Sequence, residues 1–77
     1  MKIEVFGTGC AKCKRLERNV IEALDQAGIK AEVVKIEDID AITDRGIMVT
    51  PALAIDGMLR FMGKVPPVGE LVEMLKE

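Results

Sequence analysis

The sequence lacks histidine, tryptophan and tyrosine, and it contains only two cysteines. A closed structural zinc site needs four ligands, so one chain could complete it only with carboxylates or with a second subunit. Basic residues are not in excess either, and a formal charge of −2 leaves no positive field for nucleic acid. We therefore expect no bound metal, no cofactor and no nucleic-acid partner.

Long hydrophobic runs are also missing, and none has the length that a signal peptide or a membrane span requires. The early apolar run, Met1–Phe6, contains the acidic Glu4. We therefore expect a cytoplasmic protein with no membrane association. With 49% hydrophobic and 31% charged residues, the 77 residues suffice for one small globular core. The sequence predicts a single domain over residues 1–77, and a monomer.

Apolar periodicity predicts a β-α-β unit in the first half of the chain. Lys2–Phe6 has the β-branched and aromatic residues of a strand, and Ala31–Ile36 has the same character. Between them, apolar residues recur at three- and four-residue steps and stop before Gly28, which is typical of an amphipathic helix. The members of this stripe are Cys13, Leu16, Val20, Leu24 and Ala27. A connection through a helix makes the two strands parallel.

The second half predicts a short helix, a hairpin and a terminal helix. Glu37–Arg45 reads as a short acidic helix, and Asp56-Gly57 is a strong hairpin signal between the strands Ala52–Ile55 and Met58–Met62. Val68–Lys76 follows two prolines and carries apolar residues on one side, as a terminal helix would. The predicted fold is α/β, with the order β-α-β-α-β-β-α: a four-stranded mixed sheet flanked by three helices.

The two cysteines flank Ala11-Lys12 at the junction between the first strand and the first helix. Thiols at this spacing can exchange a disulfide with a partner and close it again. The unpaired N–H groups and partial positive charge of a helix N-terminus favour a thiolate. The helical stripe places Cys13 on the core face and leaves Cys10 at the mouth, so the two sulfurs are not equivalent. A purely structural disulfide is the plainer alternative, although paired cysteines in the cytosol are more often catalytic or metal-binding.

The chain resembles the thioredoxin and glutaredoxin superfamily, and above all its very small archaeal and bacterial members. Three features carry the resemblance over essentially the whole chain: Gly9–Cys13 after the first strand, Thr50-Pro51 before the third, and Asp56-Gly57 followed by Gly63. The resemblance implies the minimal thioredoxin fold and a thiol-disulfide oxidoreductase that reduces protein disulfides. It also implies disulfide-containing protein substrates and a reductase as partners.

The resemblance assigns roles to four residues. Cys10 would be the nucleophile, and Cys13 would resolve the mixed disulfide from beneath. The proline that matches Pro51 is cis in the family and faces the disulfide. The residue before it, Thr50 here, offers backbone hydrogen bonds to a bound substrate chain.

Four further residues are candidates. Met48 and Val49 precede Thr50 and would line a substrate groove, although methionine is also a common gap-filler in a small core. Lys12 would stabilise a thiolate or would simply be solvated. Glu4 lies six residues before Cys10, the offset at which thioredoxins carry a buried acid that relays a proton. A buried carboxyl has a raised pKa and can act as a base, but strand alternation would equally turn Glu4 to solvent.

Two alternatives stay open at this stage. Heavy-metal-associated domains also place a C-x-x-C pair after their first strand and would carry a soft metal. Their order is β-α-β-β-α-β, however, and they end on a strand, whereas this sequence ends on the predicted helix Val68–Lys76. The second alternative is a non-catalytic module whose thiols sense oxidation.

Overall fold

The chain forms a mixed sheet with helices on both faces, in a computed structural model that describes residues 1–9 and 11–76. Over these residues the elements are β1 (Lys2–Phe6), α1 (Ala11–Ala27), β2 (Glu32–Ile36), α2 (Ile39–Asp44), β3 (Ala52–Ile55), β4 (Met58–Met62) and α3 (Val68–Leu75). The strand order is β2-β1-β3-β4. The predicted fold class is confirmed, and the terminal element is a helix, unlike that of a heavy-metal-associated domain.

β1 lies at the centre of the sheet and pairs on both sides. It runs parallel to β2, with Phe6 opposite Ile36, and antiparallel to β3, with Ile3 opposite Ile55. β4 completes the sheet antiparallel to β3, with an irregularity after Leu53. The β3–β4 turn has positive φ at both Asp56 (51°) and Gly57 (85°), which is the type I′ geometry expected for this dipeptide.

Strand alternation divides the core between the two faces of the sheet. Ile3 and Val5 of β1 point to the face covered by α1 and α3, where the buried partners are Leu16, Val20, Ala23, Leu24, Leu71 and Leu75. Phe6 points to the opposite face and packs with Ile42 of α2 and with Ile47. Helix α2 buries no other side chain than Ile42 among its described residues. The two larger helices therefore supply most of the core.

The helix ends follow local signals in the sequence. Helix α1 ends at Ala27 because Gly28 adopts φ 68°, and Ile29 N–H donates to Leu24 O at 3.1 Å in a Schellman arrangement. Helix α2 is shorter than the predicted Glu37–Arg45. Asp38 caps it by accepting a hydrogen bond from Asp40 N–H at 3.0 Å, so its first helical residue is Ile39.

Small differences in bounds occur elsewhere: β2 begins at Glu32 rather than Ala31, and α3 ends at Leu75 rather than Lys76. Within the described residues, no helix combines the length and the apolar character needed to cross a bilayer.

Candidate functional site

Cys13 is buried at the start of α1, where it is the third helical residue and only 6% exposed. Its side chain packs against Gly7, the residue that follows β1. A Cβ atom at position 7 would overlap the Cys13 sulfur, so the helix can approach the strand this closely only because residue 7 is glycine. The placement of Cys13 on the core face agrees with the helical stripe. The prediction that Cys10 lies at the mouth concerns a residue outside the described part of the chain.

A small cavity of about 10 Å³ borders Cys13, and Gly7, Gly9, Lys35 and Glu37 contribute to its lining. The Lys35 Nζ atom lies 3.6 Å from Glu37 Oε1 and 3.8 Å from Glu17 Oε2. These ion pairs are partly exposed, and such pairs contribute little to stability. The buried sulfur thus lies close to a cluster of surface charges that the sequence analysis had not singled out.

The Thr50–Pro51 segment forms a second part of the site. The peptide bond between these residues is cis. Pro51 is fully buried, and its carbonyl oxygen accepts a hydrogen bond of 2.8 Å from Gly63 N–H. Gly63 has φ 78°, and a Cβ atom there would lie 2.9 Å from Val49 Cγ1. The end of β4 therefore supports the loop that leads into Pro51.

Exposed apolar side chains lie on this loop and beside it. Met48 is 90% exposed, Val49 51% and Ile39 65%, values that are high for large apolar residues. A cleft of about 180 Å³ lies beside them, with walls from three segments. Its lining residues are Thr8, Ile39, Ile42, Thr43, Ile47, Met48 and Thr50.

The cleft brings together two motifs that are far apart in the sequence. Thr8 belongs to the turn that precedes the cysteine pair, and Thr50 precedes the cis-proline. The contribution of α2 to the cleft was not predicted, although the three-residue spacing of Ile39 and Ile42 indicates one apolar face of a helix. Ile42 enters the core as a helical stripe predicts, whereas Ile39 stays at the surface beside the cleft. Lys12 is exposed on α1, and its effect on a thiolate stays a prediction.

Glu4 occupies neither of the positions expected for it. It is buried, with 7% exposure, yet strand alternation places it on the α2 face of the sheet, opposite to Val5, which lines the small cavity beside Cys13. There it accepts two hydrogen bonds from Arg45, at 3.0 Å from Nη1 and 3.2 Å from Nη2. The bonds from Arg45 hold the pKa of Glu4 below its ordinary value, against the opposing effect of burial. A proton relay needs a raised pKa on the side of the resolving thiol, so we do not assign this role to Glu4.

No group of three or more His, Cys, Asp and Glu side chains in the described ranges, 1–9 and 11–76, is arranged to hold a metal ion.

The order of the elements, the mixed four-stranded sheet and the buried cysteine at the start of the first helix define a thioredoxin-type architecture. A family model described as "Thioredoxin domain" matches residues 1–76, so the chain belongs to the thioredoxin-like oxidoreductase family. A curated thioredoxin of Methanothermobacter thermautotrophicus is 45% identical over 75 residues, which are 97% of each chain. A thioredoxin of Methanocaldococcus jannaschii is 45% identical over 74 residues, covering 96% of this chain and 85% of that relative. The family resemblance drawn from the sequence is confirmed.

A solved structure supports the fold independently. Thioredoxin 1 from the thermophilic eubacterium Thermosipho africanus TCF52B superposes with a TM-score of 0.66. The match covers 99% of this chain and 91% of that chain at 20% sequence identity. At this identity the likeness concerns the fold alone.

Proposed function

We propose that the protein reduces disulfides in other proteins through the Cys10–Cys13 pair. The Cys10 thiolate attacks one sulfur of a substrate disulfide, and the other substrate sulfur leaves and takes up a proton. Cys13 then loses its proton and attacks Cys10 Sγ. The Cys10–Cys13 disulfide forms, the second substrate thiol is released, and two electrons have passed to the substrate. A reductase then returns two electrons to the pair.

The observation that carries the proposal is the position of Cys13. It is the third residue of α1 and is buried against Gly7, so the first helical turn shields it from a bulky substrate. Helix N-terminal N–H groups stabilise negative charge on a sulfur, and this favours the thiolate needed for the resolving step. A buried thiol that follows an earlier cysteine by three positions suits attack on a neighbouring mixed disulfide.

The apolar surface at Ile39, Met48 and Val49 favours a protein substrate over a small disulfide. Large apolar side chains exposed together beside a cleft are typical of a binding surface. Thr50 is partly exposed at the edge of this surface, and its backbone would pair with an extended substrate chain. We infer that the substrate is a polypeptide with apolar residues near its cystine. The curated relatives are named thioredoxins, which also supports a reductase as the electron donor.

Insulin reduction with dithiothreitol as the electron source tests the proposal. The wild-type protein should accelerate precipitation of the insulin B chain, and Cys10→Ser should remove the acceleration. Cys13→Ser should accumulate a mixed disulfide with the substrate, because only the resolving step is missing. The double variant Cys10→Ser/Cys13→Ser supplies the baseline.

The alternative function, a thiol redox sensor, predicts a different result in the same assay. A sensor would form its disulfide on exposure to oxidant but would not turn over insulin. Wild-type activity equal to the double-variant baseline would therefore reject the reductase. A mixed disulfide that forms at Cys13 rather than at Cys10 would reverse the two roles.

A further inference from the structure

The ion pair between Glu4 and Arg45 connects the two sides of the cleft. Glu4 lies in β1, which leads through Gly7 into the turn that carries Thr8. Arg45 follows α2 directly and is its C-cap residue. The two residues are 41 positions apart in the sequence, and their bonds join the segment before the cysteine pair to the segment before Pro51.

Arg45 is part of a hydrogen-bonded backbone unit that carries the cleft wall. Its N–H donates to Ala41 O and Ile42 O, at 3.3 Å and 3.2 Å. Ile47 N–H donates to Ile42 O at 3.2 Å, so backbone hydrogen bonds connect the chain from residue 41 to residue 47. This segment supplies Ile42, Thr43 and Ile47 to the cleft.

Helix α2 has little else to hold it in place. It has six residues and buries one side chain among those described, Ile42. A helix of this length is not stable by itself in water, and its position depends on tertiary contacts. The Arg45 guanidinium provides such contacts, because it binds both Glu4 oxygens and stacks on Phe6 with 5.1 Å from its carbon to the ring centroid.

The buried carboxylate makes this connection hard to break. Glu4 is 7% exposed, and a carboxylate removed from water needs its partner to offset the loss of hydration. Displacing Arg45 would remove both of its hydrogen bonds to this carboxylate. The bidentate geometry also fixes the direction of the guanidinium, which a single bond from lysine would not do.

We propose that Glu4 and Arg45 are positioning residues that set the separation of the cleft walls and thereby the affinity for protein disulfides. This inference rests on the proposed function, because it concerns the surface that would receive the substrate. Glu4 points away from Val5 and from the small cavity that Val5 shares with Cys13, so the pair is not placed to act on the Cys13 thiol. The pair should therefore affect binding of a polypeptide and leave the reaction with a small disulfide unchanged.

The test compares two substrates, insulin and the small disulfide 5,5′-dithiobis(2-nitrobenzoate), in wild type and in Glu4→Gln. The KM for insulin should rise by roughly 2- to 30-fold, the range for residues that act on a site through packed neighbours. The kcat for insulin and the rate with the small disulfide should stay near the wild-type values. Arg45→Lys should keep only part of the wild-type affinity for insulin, because lysine retains the positive charge but cannot make the two parallel hydrogen bonds.

Two controls separate positioning from loss of stability. Glu22→Gln makes the same chemical change at an exposed site on α1. Leu24→Ala removes a buried side chain near the far end of α1 and should lower stability without changing the insulin KM. If Glu4→Gln does not fold, the double variant Glu4→Gln/Arg45→Gln takes its place, because it leaves no buried charge.

The outcomes distinguish this inference from the proposed function. An unchanged insulin KM in folded Glu4→Gln would overturn the positioning role. An equal loss with both substrates would overturn it too, since the pair would then act on the thiols or on the fold as a whole. A wild-type protein inactive on both disulfides would reject the proposed function itself, and the inference with it.

Discussion

Gly7 and Cys13 occupy adjoining space, and a side chain at position 7 would overlap the Cys13 sulfur. The contact fixes the start of α1 against the end of β1. The position of the thiol therefore depends on a glycine, which has no side chain and cannot take part in the reaction.

Gly7→Ala should therefore destabilise the protein, by about 1–3 kcal/mol, as overpacking of a closed site does. Equilibrium unfolding in urea measures the change. Gly69→Ala in α3 is the matched control, because nothing lies within 4 Å of its Cβ position. That control should be neutral or slightly stabilising, since alanine is the better helix former. Equal effects of the two substitutions would contradict the close contact with the sulfur.

Gly63→Ala should lower the free energy of unfolding by more than the replacement of a glycine with positive φ does by itself. Gly63 and Gly28 both have positive φ, at 78° and 68°, but only Gly63 has a neighbour, Val49, within 4 Å of its Cβ position. Gly28→Ala should cost about 1–2 kcal/mol for the backbone conformation. The loss of stability in Gly63→Ala should exceed this value. The double variant Gly63→Ala/Val49→Ala should recover the excess, because the shorter side chain removes the clash. Urea denaturation of the four proteins, wild type included, provides the comparison, and an excess that persists in the double variant would rule out Val49 as its cause.

The Glu4–Arg45 pair should make stability depend on pH in the acid range. The folded-state pKa of Glu4 lies below its ordinary value of 4.5, chiefly because of the hydrogen bonds from Arg45. Its stabilisation is therefore fully present above the unfolded-state pKa and is lost as the pH falls through the folded-state pKa. The difference in unfolding free energy between wild type and Glu4→Gln should be largest near neutrality and should shrink below about pH 4.5. A difference that is constant from pH 7 to pH 3 would show that the charge of Glu4 does not contribute.

Alkylation should distinguish the two thiols. Cys13 is 6% exposed, so iodoacetamide should reach it slowly in the folded, reduced protein. The proposed nucleophile, Cys10, should be labelled first at neutral pH. Mass spectrometry of peptides from a time course measures both rates, with protein unfolded in urea as the reference for equal access. Faster labelling of Cys13 would reverse the assignment of roles.

Met48→Ala should weaken the reduction of insulin without affecting stability. Met48 is 90% exposed beside the cleft, and a substitution at such a site usually changes stability by less than about 0.5 kcal/mol. The expected result is a higher KM for insulin. Met58→Ala is the matched control, because Met58 is 68% exposed in β4 and does not line the cleft. An equal KM in the two variants would show that Met48 does not contact the substrate.

The elements that the sequence predicted well are those with local signals. The stripe from Cys13 to Ala27 gave the long helix, and Asp56-Gly57 gave the hairpin, because both patterns act within a few residues. The bounds of α2 were less accurate. Its start depends on whether Asp38 is helical or caps the helix, and the side chain takes the second option.

Glu4 shows what a single sequence does not reveal. Its partner, Arg45, is distant in the chain, and no local pattern indicates that the two meet. Strand alternation alone allowed either face, and only the packing of Phe6 with Ile42 and Ile47 selects the face that carries Arg45. The contribution of Thr8 to the cleft was missed for the same reason, since Thr8 and Thr50 become neighbours only through the sheet.

The central position of β1 has a consequence for biosynthesis. This strand needs β2 on one side and β3 on the other, and both leave the ribosome after it. Contacts that close longer loops carry a larger entropic cost and form later than local ones. A nascent chain that ends within α2 would thus already carry both cysteines, but neither the proposed substrate loop of Met48 and Val49 nor the strand β3 that pairs with β1. The proposed substrate surface would be completed only after synthesis of the segment through Gly63, the residue that packs against Val49.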